Sequence, residues 1–190
     1  MEKPSFYNKQ FGSDNSSDLS VYKSEFENCV FSNCNFSNAD FTDSIFIDCT
    51  FNNCNISNAK TFKTAFRNCS FKVCKMMGLN LDECNPVFLS LAFYNCNLHF
   101  TSFQNLDLRK CVFSKSDLSN ADFSGSNLSE LDLDECNLKS SVFENSNISY
   151  ADFTTAFNYS INPQINNIRG AKFSLQGLPG LLEQYNLEII

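Results

Sequence analysis

A single histidine, His99, and only six glycines occur among the 190 residues. Histidine is the side chain most often used to move protons near neutral pH, and tight phosphate cradles are built from glycine-rich loops. No nucleophile motif, glycine-rich phosphate loop or metal-ligand cluster is present, so the expectation is a non-enzyme with no cofactor and no metal site. Positive charge is short as well. The 14 Lys and Arg stand against 21 Asp and Glu, for a net charge of −7. That balance argues against direct nucleic-acid binding and favours basic partners. Long apolar runs are missing. Met1 to Ser20 is polar and lacks the apolar core of a signal peptide, and no stretch is long enough to span a membrane. The expected location is the cytoplasm, without membrane contact.

What the chain has instead is a beat of five. Large apolar residues recur at Phe26, Phe31, Phe36, Phe41, Phe46, Phe51 and Ile56, then at Phe66, Phe71, Met76 and Leu81. A second run goes from Phe93 through Leu98, Phe103 and onward to Ile148 and Phe153. Five fits neither the helical period of 3.6 nor the strand period of 2, so the pattern is that of a repeat architecture.

Ten cysteines raise the question of disulfides or zinc, and their register answers it. Cys29, Cys34, Cys49, Cys54, Cys69, Cys74, Cys96, Cys111 and Cys136 each sit two residues before a central apolar residue. Cys84 joins them if the first run is continued to Pro86. Elsewhere Ser24, Ala39, Ser44, Thr64 and Ala121 fill that position, so cysteine serves as a small buried residue in a reducing compartment.

The unit is therefore a small residue, then Asn or Asp, then Phe or Leu, then two polar residues, as in Ala39-Asp40-Phe41 and Ala121-Asp122-Phe123. It resembles the pentapeptide-repeat family, whose consensus is A(D/N)LXX, over about 130 of the 190 residues. The resemblance implies an all-β fold, a right-handed quadrilateral parallel β-helix in which four units make one square coil of twenty residues. Small and large residues then point inward. Residues twenty apart should stack at the strand spacing of ~4.8 Å. Asp43, Lys63 and Glu83 form such a column with alternating sign, Asp40 pairs with Lys60, Lys110 with Glu130, and Lys115 with Glu135. Asn28, Asp48 and Asn68 form a polar ladder, as do Asn33 and Asn53.

Breaks mark the boundaries. Residues 1–20 read as a partial coil and cap, 21–157 as the array, and 158–190 as a terminal coil, short helix and dimerisation tail. Thr61-Phe62 misplaces the bulky residue by one, which predicts a local bulge. Two residues are inserted between Leu81 and Phe93, and Asn85-Pro86 marks the spot because proline cannot donate to an inter-coil ladder. In the tail, Leu178, Leu181, Leu182 and Tyr185 fit one face of a short helix, followed by an extended Leu187-Glu188-Ile189.

This ending resembles that of the quinolone-resistance (Qnr) branch, in which a similar tail makes a two-fold dimer. The resemblance implies a homodimer through Leu178, Leu181, Leu182 and Tyr185. A segment that only caps a monomeric rod is the other reading. The branch also implies DNA gyrase or topoisomerase IV as partner and protection from fluoroquinolones. Relatives from Gram-negative bacteria extrude two longer loops, where this chain has only the insertion near Pro86.

Charge supports a partner on the C-terminal half. From Asp107 to Asp152 nine acids face four bases, a net −5. At the strand spacing that stretch is about 11 Å of rod, where duplex DNA would carry about six negative charges. Glu130, Asp132, Asp134, Glu135 and Asp152 are the candidate partner-binding residues. Two functions follow: a DNA mimic that binds type II topoisomerase, or an interaction scaffold for another protein.

Overall fold

A computed structural model describes residues 3–13 and 20–188. Its strands are short, parallel and offset by one coil. Ser5–Tyr7, Glu25–Glu27, Ile45–Ile47 and Ala65–Arg67 pair in that order, with Phe26 opposite Phe46 and Phe46 opposite Phe66. Around the corner a second sheet climbs from Gln10–Phe11 through Val30–Ser32, Thr50–Asn52, Cys69–Lys72, Leu91–Tyr94 and Val112–Ser114 to Leu133–Asp134. Two further sides pair through single bridges such as Asn35 with Asn55 and Asp40 with Lys60. The molecule is a four-sided parallel β-helix of about eight coils. Sides one to four are named here by the central residues Phe26, Phe31, Phe36 and Phe41.

Each corner turns at the residue two after the central one. Asn28, Asn33, Asn38 and Asp43 have φ of 52, 56, 59 and 58°, in the left-handed region. Asn and Asp tolerate that region better than most side chains because their short polar groups bond locally. The fifth residue of the unit is thus a corner, and its frequent Asn is a conformational requirement.

Inside, phenylalanines stack along the rod and meet edge-to-face around it. Phe31 and Phe51 lie 4.6 Å apart between centroids at 9°, Phe103 and Phe123 4.9 Å at 3°, while Phe26 meets Phe31 at 72°. Both geometries suit the ring quadrupole. The small position does more than fill space. Cys49 Sγ donates to Phe26 O at 3.4 Å, Thr64 Oγ1 to Phe41 O at 2.7 Å and Ser146 Oγ to Phe123 O at 2.8 Å. Thiol and hydroxyl each reach a carbonyl of the coil below, which is why Cys, Ser and Thr interchange there. All ten cysteines are buried. Burial pushes the Cys49 and Cys84 thiols up to about 12.

Two expected irregularities resolve differently. There is no bulge at Thr61. Thr61 itself takes the inward position, 1% exposed, while Phe62 lies outside at 49%. The Thr61 hydroxyl donates to Asn80 O, and Asp43 N still bonds Phe62 O, so the twenty-residue register runs through unbroken. A satisfied hydroxyl lets a polar residue stand where Phe is usual. At the insertion the pairing offset grows from twenty to twenty-two, Cys69 lying opposite Leu91. Pro86, Val87 and Phe88 are pushed outward, and Leu89 turns into the core.

At the N-terminal end Phe6 and Phe11 stack on Phe26 and Phe31, each at 5.0 Å. Residues 1–2 and 14–19 of the expected partial coil and cap lie outside the described residues. At the other end Phe173 stacks on Phe153 at 5.2 Å. The tail then forms two 3-10 helices, Leu175–Leu181 and Glu183–Tyr185, folded across the last coil. Ile161 N donates to Gly180 O at 2.9 Å. Gly177 and Gly180 lie against Tyr159 so closely that an added Cβ would come within 1.7 Å of its hydroxyl and 2.1 Å of its carbonyl oxygen. Any larger residue would lift the tail off Tyr159. With three residues per turn, the four expected residues do not share one face. Leu181 packs on the core, while Leu178 and Tyr185 are 40% and 47% exposed. Ile189 lies outside the described residues.

Candidate partner-binding face

All five candidate acids fall on the second side or its two edges. The central residues Leu133 and Phe153 are one coil apart, so Asp132 and Asp152 bridge directly across the coil boundary. Asp134 follows Leu133 on the same side, and Glu130 and Glu135 occupy left-handed corners with φ of 64 and 48°.

The electrostatics divide them. Burial, then the carboxylates of Asp152 and Asp134, hold Asp132 above the usual range. Asp152 is held down to about 2, first by the hydroxyl and amide of Thr154 at 2.6 and 2.9 Å, and further by the Lys172 ammonium at 3.0 Å. Asp134 accepts the Ser114 hydroxyl at 2.8 Å. Glu135 meets Lys115 at 3.3 Å, as its column predicts. Glu130 shares a shallow surface depression with Arg109 and Lys110, although Arg109 pairs with Asp107 at 2.6 Å. Counting Lys110, Lys115 and Lys172 against the five acids, this face with its edges carries a net −2, with Asp132 and Asp134 free of ion pairs among the described residues. Lys172 stands twenty after Asp152, so the same column rule identifies it.

Among the other columns the asparagine ladders bond, while Asp43–Lys63–Glu83, Asp40–Lys60 and Lys110–Glu130 make no ion pair among the described residues. Asn68 donates to Asp48 at 2.6 Å and Asn53 to Asn33 at 2.7 Å. On the third side His99 Nε2 meets Asp117 Oδ2 at 2.7 Å, and Ser119 Oγ donates to Asp117 Oδ1 at 2.6 Å. The serine bonds the carboxylate and not the imidazole, so the three do not form a nucleophile–base pair. Among the described residues no group of three or more His, Cys, Asp or Glu converges as metal ligands, and no helix is long and apolar enough to cross a membrane.

Two family models match the chain, "Pentapeptide repeat region" over residues 44–123 and "Pentapeptide repeats (8 copies)" over 24–60 and 123–157. No curated protein matches it in sequence. Among solved structures it is similar to trypsin-treated QnrB1, a plasmid-mediated fluoroquinolone resistance protein, at 19% identity and a TM-score of 0.63, over 99% of this chain and 98% of that one. It is also similar to HetL, a protein of heterocyst differentiation regulation from the cyanobacterium Nostoc, at 17% identity and 0.54, over 91% and 85%. At such identities the likeness is one of fold.

Proposed function

Given that the chain belongs to the pentapeptide-repeat family, we propose that it is a non-enzymatic DNA mimic whose second side docks on the DNA-gripping surface of a type II topoisomerase. One observation carries this reading. Asp132 and Asp152 stack across a coil boundary, with Asp134 beside them and Glu130 and Glu135 at the edges, so carboxylates line one strip of a rigid rod. A basic groove built for phosphates spaced along a duplex is the complementary surface. The exposed Leu178 and Tyr185, with Leu175 and Leu187 nearby, support dimerisation through the tail. Such a dimer would bring two acidic strips toward a common two-fold axis.

The partner is DNA gyrase or topoisomerase IV in this reading. Purified protein added to a gyrase supercoiling assay, with and without ciprofloxacin, tests it. Inhibition or drug protection at submolar excess over DNA supports the proposal; indifference of the enzyme at every ratio removes it.

A second reading, a scaffold for a different basic protein, is favoured by Lys115 and Lys172. Each neutralises a carboxylate of the strip, so charge density on this side falls below that of a duplex.

A further inference from the structure

The insertion opens a cleft of about 430 Å³ on the first side, lined by Lys3, Lys63 and Arg67 together with Asp43, Asn85 and Pro86. Three cations at one place are unexpected in a chain of net charge −7. None of the three makes an ion pair among the described residues. Lys3 Nζ donates to the backbone carbonyl of Asp43 at 2.9 Å and leaves that carboxylate alone. Arg67 Nε is buried and has no hydrogen-bond partner among the described residues. Its guanidinium lies 5.8 Å from the centroid of the Phe88 ring. Phe88 is 69% exposed and sits in the left-handed region at φ 62°. An aromatic residue held in that conformation, with its ring in solvent, forms an apolar rim beside the cations.

We propose that this cleft binds the phosphoryl group of a small phosphorylated ligand. The charges match: three cations and Asp43 leave +2, and a phosphate monoester carries about −1.5 to −2 at pH 7. A single carboxylate would leave the site overcharged. Arg67 offers a planar fork suited to two phosphate oxygens, and the free Nε–H is one of its donors. Lys3 and Lys63, the latter with its ammonium 5.0 Å from the centroid of the Phe62 ring, supply point charges at the rim. The volume lies within the range of small-molecule sites, and Val87 and Phe88, both exposed, can cover the organic part. Side chains make this site, so it needs no glycine loop. It lies on a different side of the rod from the acidic strip and is independent of the topoisomerase reading.

The test follows the Arg67 Nε–H resonance of the ¹⁵N-labelled full chain during titration with inorganic phosphate, phenyl phosphate or acetate. Saturable shifts are expected with both phosphates, acetate binding roughly tenfold more weakly or worse. Phenyl phosphate should bind more tightly than inorganic phosphate; the reverse order overturns the organic ligand. Arg67→Gln and Lys63→Gln, each checked for an unchanged melting temperature, should weaken phenyl phosphate by roughly tenfold. Arg67→Gln removes the reporter, so both variants are read by calorimetry. Equal response to acetate and phosphate, the absence of saturation, or wild-type affinity in both variants overturns the proposal.

Discussion

Asp132 and Asp152 face each other across one coil boundary, yet their carboxyls are driven in opposite directions, Asp132 upward and Asp152 down to about 2. The asymmetry comes from Thr154 and Lys172, which bond Asp152 and leave Asp132 with the cost of burial and the repulsion of Asp152 and Asp134.

Stability should therefore respond oppositely to the two amides. Asp152 has a depressed folded pKa, so its contribution is present above the unfolded value of about 3.9 and is lost as pH falls toward about 2. Asp152→Asn should cost about 1 kcal/mol at pH 7, and the cost should fade as pH falls through about 2. Asp132 has a raised pKa, so it favours the fold only below its unfolded value. Asp132→Asn should leave stability at pH 7 unchanged or a few tenths of a kcal/mol higher, the effect being small because the side chain is exposed. Denaturant melts of both variants across pH decide this, and a destabilised Asp132→Asn would contradict it.

Thiol chemistry should be silent in the folded state. Burial raises Cys49 and Cys84 to about 12 and Cys111 and Cys136 to about 11. These shifts favour the fold fully below the ordinary thiol pKa near 9, and that advantage is lost as pH climbs through 11 to 12. Ellman's reagent should find almost no reactive thiol in native protein and ten after denaturation. Native mass spectrometry should show no bound zinc and no mass deficit from disulfides.

Phe123 is fully buried between Phe103 at 4.9 Å and Phe143 at 5.0 Å. Phe123→Asp would bury an unpaired charge in that column and should abolish folding. Phe123→Leu, the residue that holds the central position of the adjacent units at Leu118 and Leu128, should cost only about 1 kcal/mol. A soluble, folded Phe123→Asp protein with an unchanged melting temperature would mean that the inward assignment is wrong.

The tail separates a cap from a dimer surface. Leu178→Glu and Tyr185→Glu alter exposed positions and should yield folded monomers by light scattering. Leu181→Glu strikes the residue packed on the core and should lower the melting temperature as well. Deleting residues 177–190 should do both, because it also uncovers Tyr159. If intact protein is already monomeric at high micromolar concentration, the tail is a cap and nothing more.

Most of the architecture could be read from the five-residue beat together with the family resemblance, which implies a coil of twenty and so stacks residues twenty apart. Lys115 with Glu135 and Asn68 with Asp48 followed directly. What counting missed was local chemistry. Thr61 looked like a slipped register because its hydroxyl partner, the Asn80 carbonyl, is invisible in a hydrophobic pattern. The tail matched an α-helical spacing, but Gly177, Pro179 and Gly180 against Tyr159 impose tighter 3-10 turns. Lys172 was overlooked as the counter-ion of Asp152, and with it the partial neutralisation of the acidic strip.

That neutralisation sharpens the test of the strip itself. Asp132 and Asp134 make no ion pair among the described residues, and Glu135 shares its charge with Lys115. The triple variant Asp132→Asn, Asp134→Asn, Glu135→Gln should weaken topoisomerase binding by tenfold or more, each lost exposed pair contributing up to about 1 kcal/mol. Its fold should persist, since all three side chains point outward. Lys172→Gln makes the opposite change, exposing Asp152, and should tighten the same complex. Both effects should shrink as salt rises, because the Debye length falls to about 3 Å at 1 M. Opposite shifts from the two variants would locate the interface on the second side. Wild-type affinity in both, with binding intact, would move the interface elsewhere on the rod.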